Sequence, residues 1–88
     1  MYDNNLQQLR KEIDIIDNQL ICLIAKRDAI VRKIAIHKKQ HNLPIVDEAR
    51  ESELFIQYNN LADHYGISKT LISQIFKHII MHARNIQE

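Results

Sequence analysis

Eighty-eight residues are expected to form one domain, residues 1–88, with a modest core close to the size at which a helical unit often needs a partner subunit. A formal net charge of +1 provides no global basic field of the kind that draws proteins to nucleic acid, so any anion binding must rest on local placement. The single cysteine, Cys22, excludes an intrachain disulfide and a multi-cysteine zinc site, and no stretch approaches the ~18 apolar residues that span a bilayer.

The polar start from Met1 through Tyr2, Asp3 and Asn4 to Asn5 has no signal-peptide hydrophobic region, and a reducing cytoplasm is the expected setting. Gly66 and Pro44 are the only residues of their kinds, so there are few places for the chain to break. From about Asn5 to His41 nothing interrupts the helical pattern, which predicts a first helix on the order of 35 residues and about 50 Å long. Within it Leu6, Leu9, Ile13, Ile16, Leu20, Leu23, Arg27, Ile30 and Ile34 follow at alternating steps of three and four, the rhythm of a helix packed against other helices. Arg27 is the one polar member of that seam. A guanidinium keeps its proton at any ordinary pH, so a buried one has to be met by an anion from the protein or from a ligand. Lys38 continues the row four residues after Ile34, about 16 Å along the axis from Arg27 and within roughly 20° of its face. The two side chains can lean toward one small anion, or their stems can pack while the charged heads reach water.

Asn42, Leu43, Pro44, Ile45 and Val46 form a connector. Asp47 is the predicted N-cap of a second helix running to about Tyr65, with Glu48 and Glu51 against its positive end and Gly66 as its left-handed C-terminal cap. Ser68 caps a third helix, with Ile67 and Ile72 as a hydrophobic staple. Leu71, Ile72, Ile75, Phe76, Ile79, Ile80, Ala83 and Ile86 are its predicted buried stripe. No strand-period segment or internal repeat interrupts this all-α pattern.

The segment from Leu61 to Ser73 is similar to the helix-turn-helix of small DNA-binding domains. Its second helix, however, offers only Lys69 and Lys77 as cations before the apolar stripe takes over, which disfavours a nucleic-acid role. His37 with His41 and His78 with His82 are at i, i+4 spacing, but neither pair has an evident third ligand; no metal site is expected.

One of three helices being too long for its own chain to cover argues for a dimer with the long helices side by side. Arg10 lies about 25 Å from Arg27 along the first helix and about 100° around it, so it cannot reach the same small ligand from the same helix. An antiparallel second copy can bring its own Arg10 there.

Several separated segments together carry a family resemblance. They are Leu9, Arg10, Lys11, Glu12, Ile13 and Asp14 with Asp17 and Leu20; Ala25, Lys26 and Arg27; Lys38 followed by Pro44, Ile45, Val46 and Asp47 with Arg50 and Glu51; and Phe76, Ile79, Ile80 and Gln87. Over nearly its whole length, from Leu6 to Gln87, the chain resembles the all-helical class of chorismate mutases. The resemblance implies an intertwined helical homodimer with two equivalent sites and no cofactor. It implies that Arg27 and Lys38 act within one subunit and that Arg10 comes from the other. It further places Arg50 in the site, Asp47 and Glu51 near the substrate hydroxyl, and Gln87 with Lys38 at the ether oxygen.

Chorismate is a dianion that rearranges to prephenate by a pericyclic [3,3] shift, with no covalent enzyme intermediate. A protein can accelerate it by holding the flexible enolpyruvyl group over the ring, as arginines do through bidentate contacts to carboxylates, and by stabilising charge that grows on the ether oxygen. No nucleophile, metal or redox group is needed. Many relatives have a serine where this chain has Ala83, which removes one hydrogen bond to a substrate carboxylate and predicts a weaker Michaelis complex. Individually, Asp47 also reads as an ordinary N-cap, Glu51 as a first-turn acid, Arg50 as an exposed helix residue and Gln87 as a residue in a fraying end. Related folds act on isochorismate, eliminating pyruvate, or on 4-amino-4-deoxychorismate. Glu51 and the Asp47 segment look more like the mutases than the lyases.

Overall fold

A computed structural model describes residues 3–88; Met1 and Tyr2, part of the polar start, lie outside the described residues. Three helices follow in order, α1 (Asn4–Gln40), α2 (Glu48–Tyr65) and α3 (Lys69–Gln87), and no strand occurs among the described residues.

The helix ends follow from local chemistry. Asp3 opens α1, its carboxylate accepting the Leu6 amide at 3.0 Å and its carbonyl the Gln7 amide at 3.1 Å. The sequence pattern predicts a start at about Asn5, two residues after this cap. At the other end Asn42 takes a left-handed conformation, with φ of 55°. There the Leu43 amide donates to the Lys38 carbonyl at 2.8 Å, a Schellman closure built on asparagine in place of glycine. The Asp47 carboxylate accepts the Arg50 amide at 3.0 Å, as expected of the α2 cap. Gly66 has φ of 67°, and the Ile67 amide returns to the Ala62 carbonyl at 2.8 Å. Ser68 caps α3 by accepting the Leu71 amide at 3.2 Å.

The chain divides into two compact units, Met1–Ile30 and Val31–Glu88. The described part of the first is helical, and its apolar seam faces outward: from Leu6 at 41% to Leu23 at 59%, these side chains are exposed in the single chain. In the second unit α2 packs on α3. Tyr58 stacks on Phe76 with ring centres 3.8 Å apart and planes 19° apart, and Phe55 meets Tyr58 edge-on at 5.5 Å. Tyr58, Ala62, Ile80 and Ala83 are the buried residues of these two helices, and Val31 of α1 is buried as well. The predicted α3 stripe is only partly covered. Ile72, Phe76, Ile79 and Ile86 are half-buried, whereas Leu71 and Ile75, at one edge of the stripe, stay exposed because α2 covers the opposite edge.

Candidate active site

Lys38 occupies the last turn of α1 and Gln87 the last turn of α3; both are half-buried. The Lys38 Nζ donates to Gln87 Oε1 at 2.8 Å across 49 residues of sequence, and to the Ile45 carbonyl at 2.6 Å. An ammonium only donates, so the amide presents its oxygen to Lys38, while Nε2 donates to the Ala83 carbonyl one turn earlier at 3.1 Å. This network fixes the Gln87 side chain against the fraying expected so near the end of α3. It also leaves one N–H of Lys38 and one of Gln87 beyond these contacts. The two residues line an open depression of about 450 Å³ with Ile36, Leu43, Ile45 and Ile86.

Glu51, in the first turn of α2, is not a solvated acid. Both of its oxygens are engaged by Arg84 of α3: Nε donates to Oε2 at 3.0 Å and Nη2 to Oε1, forming a bidentate pair whose side chains are 21% and 38% exposed. The hydrogen bond to Glu51 raises the Arg84 pKa above its ordinary value; desolvation opposes the rise, and the charges of Glu51 and then Glu48 add to it. Sequence reasoning missed Arg84. The available signal was its place four residues after Ile80, which puts a cation about 40° from a buried position, at the rim of the apolar stripe. Glu51 and Arg84 line a second depression with Phe55, Lys77, Ile80 and Met81.

The Asp47 carboxylate serves the helix cap, and Arg50 pairs with Glu53 at 3.6 Å on an exposed surface, a contact of small energetic weight. Ala83 is buried, with its carbonyl holding Gln87. Arg27 is half-buried and Arg10 exposed. Thus Lys38, Gln87 and Ala83 are brought together, Glu51 joins Arg84, and Asp47 and Arg50 line neither depression.

The remaining sequence signals resolve locally. His37 and His41 stack at 4.1 Å, and His41 Nδ1 donates to the His37 carbonyl at 2.8 Å. Among the described residues no group of three or more His, Cys, Asp or Glu is arranged to hold a metal, and no helix is long and apolar enough to cross a membrane. The helix-turn-helix segment is present as α2, Gly66 and α3, but the Lys69 ammonium is paired with Asp63 at 2.9 Å, which reduces the positive charge it offers to phosphate.

Comparison with known proteins gives one consistent direction. Residues 9–88 match the family described as chorismate mutase type II. The chain is 31% identical to the chorismate mutase of Methanocaldococcus jannaschii, covering 94% of this chain and 84% of that protein. It is 36% identical to the bifunctional chorismate mutase/prephenate dehydratase of Buchnera aphidicola from Schizaphis graminum, covering 88% of this chain but 20% of that longer protein. A 4-amino-4-deoxychorismate mutase of Streptomyces venezuelae is 25% identical over 97% of this chain and 82% of its own length. Among solved structures, a conserved hypothetical protein from Pyrococcus furiosus superposes with a TM-score of 0.78 at 37% identity, covering 99% of this chain and 100% of that one.

Proposed function

Because the chain belongs to the chorismate mutase type II family, we propose that it converts chorismate to prephenate, for aromatic amino acid synthesis in the cytoplasm, as a homodimer of a single domain spanning residues 1–88. The observation that carries the proposal is the contact between Lys38 and Gln87. One remaining N–H from each can converge on the ether oxygen as the carbon–oxygen bond breaks and negative charge accumulates there. The Ile45 and Ala83 carbonyls hold both donors in place before substrate arrives, so little reorganisation is needed at the moment of reaction.

In this reading Arg27 and the partner's copy of Arg10 grip the two substrate carboxylates, Arg50 adds a third cation, and Glu51 with the Asp47 segment faces the ring substituent. The exposed seam of α1 supports the dimer, since a second copy of the same helix would bury it. Incubating the protein with chorismate should deplete its ultraviolet absorbance and yield prephenate by chromatography. A folded dimer that left chorismate intact would overturn the assignment.

Ala83 makes a smaller and separable prediction. Ala83→Ser should lower KM for chorismate several-fold and leave kcat within about twofold, because the added hydroxyl supplies one hydrogen bond to the bound dianion. Initial-rate kinetics read this directly, and an unchanged KM would remove Ala83 from the substrate contacts.

A further inference from the structure

We propose that Arg84 sets the substrate preference of this site: by holding Glu51 in a charge-compensated pair, it makes the carboxylate an acceptor for a neutral ring hydroxyl and a poor seat for a ring ammonium. The inference rests on the functional reading above, in which Glu51 faces the ring substituent.

Four observations carry it. First, the guanidinium takes both Glu51 oxygens from one side, so the carboxylate is oriented by a residue on another helix, 33 positions away in sequence. Second, each carboxylate oxygen has two lone-pair directions, and one bidentate arginine leaves acceptor capacity on the opposite edge. Third, Arg84 precedes Gln87 by three residues on α3, which puts their Cβ atoms about 5–6 Å apart, so that α3 carries one member of each pair within a single turn while the two pairs line separate depressions. Fourth, the pair is partly shielded from water, with Glu51 the better covered member, so its electrostatics are less screened than those of the exposed Arg50–Glu53 pair.

The consequence for recognition follows from charge. A hydroxyl can donate to a carboxylate whether or not that carboxylate is paired. An ammonium gains its advantage from net negative charge, and here the guanidinium cancels much of it while adding its own repulsion. With Arg84 in place the hydroxyl substrate is favoured; without it the bare carboxylate favours the amino analogue. Arg84 is a positioning residue in this scheme and does not itself touch the substrate.

The test is the ratio of kcat/KM for 4-amino-4-deoxychorismate to that for chorismate, measured on the full chain. Arg84→Met should raise this ratio about tenfold or more, and Arg84→Lys, which keeps the charge, should stay within about threefold of the starting protein. Glu51→Gln, which leaves Arg84 uncompensated, should move the ratio about tenfold the other way. The Glu51→Gln/Arg84→Met double variant should lose the gain seen with Arg84→Met. A folded Arg84→Met protein with a ratio within about twofold of the starting value would overturn the proposal, as would an equal rise in the double variant. Should Arg84→Met not fold, Arg84→Gln, which also removes the charge while keeping a polar side chain, should give the same rise, and a folded Arg84→Gln protein with an unchanged ratio would overturn the proposal. If the unmodified protein converted neither substrate, the functional reading itself would fall; unchanged ratios with chorismate turnover intact would defeat the role of Arg84 alone.

Discussion

Lys38→Ala is expected to reduce kcat about 10²- to 10³-fold while the protein remains a folded dimer. The magnitude is that of removing one preorganised donor from developing negative charge, about 3–4 kcal/mol of barrier. The structural cost is smaller. Lys38 is half-buried and its ammonium holds the Ile45 carbonyl and the Gln87 amide, so its removal gives up two side-chain contacts at one end of the second unit. At roughly 1 kcal/mol for each of these two hydrogen bonds, the melting temperature should fall by about 8–16 °C. Circular dichroism, sedimentation and single-turnover rates on one preparation separate the two effects. A loss of activity matched by loss of the folded dimer would leave Lys38 with a structural role only, and a loss below about tenfold would exclude it from the reacting atoms.

Arg10→Ala and Arg27→Ala should each cripple turnover, and mixing them should restore part of it. In the proposed roles each variant should lose a charge-assisted contact to a substrate carboxylate, on the order of 2–3 kcal/mol, or roughly 30- to 150-fold in kcat/KM. In a mixed dimer, one site combines the intact Arg27 of one subunit with the intact Arg10 of the other, and the second site carries both defects. Random exchange puts half of the chains into such dimers, so about a quarter of all sites should recover. The rate after exchange, set against the dimer fraction measured by sedimentation, provides the readout. If exchange were demonstrated by mass tags and activity stayed at the level of the parents, the shared site would be wrong. The exposed seam of α1 and the outward position of Arg10 make recovery the expected result.

A guanidinium within an apolar seam is costly unless an anion meets it, and a purely structural helix would gain from leucine at that position. Arg27→Ala should therefore combine a large loss of activity with little loss of fold, a separation that a packing residue would not show.

The helices were legible because their signals are local. Asp47, Gly66 and Ser68 act on amides within a few residues of themselves, and the three- and four-residue steps of the α1 seam and the α3 stripe fix which faces are apolar without reference to distant chain. The same locality identified Arg27 and Lys38 as cations out of place on an apolar face. The Asn42 closure of α1 escaped notice because asparagine is a weaker left-handed signal than glycine. The roles of Gln87 and Glu51 came from family resemblance and had no basis in spacing alone.

What the sequence by itself determined was therefore the number of helices, the caps of α2 and α3, the apolar faces and the chemical types available at one end of α1 and α3. Only the tertiary structure decided who meets whom: that Lys38 rests between the Ile45 carbonyl and Gln87, and that Glu51 is engaged by Arg84 instead of standing as a free acid. Those contacts depend on the packing of α2 on α3 through Tyr58 and Phe76 and on the path of the connector after α1. Helical periodicity places a side chain on a face of its own helix, whereas the partner of a charged side chain is set by the packing of elements far apart in the chain, which no local spacing encodes.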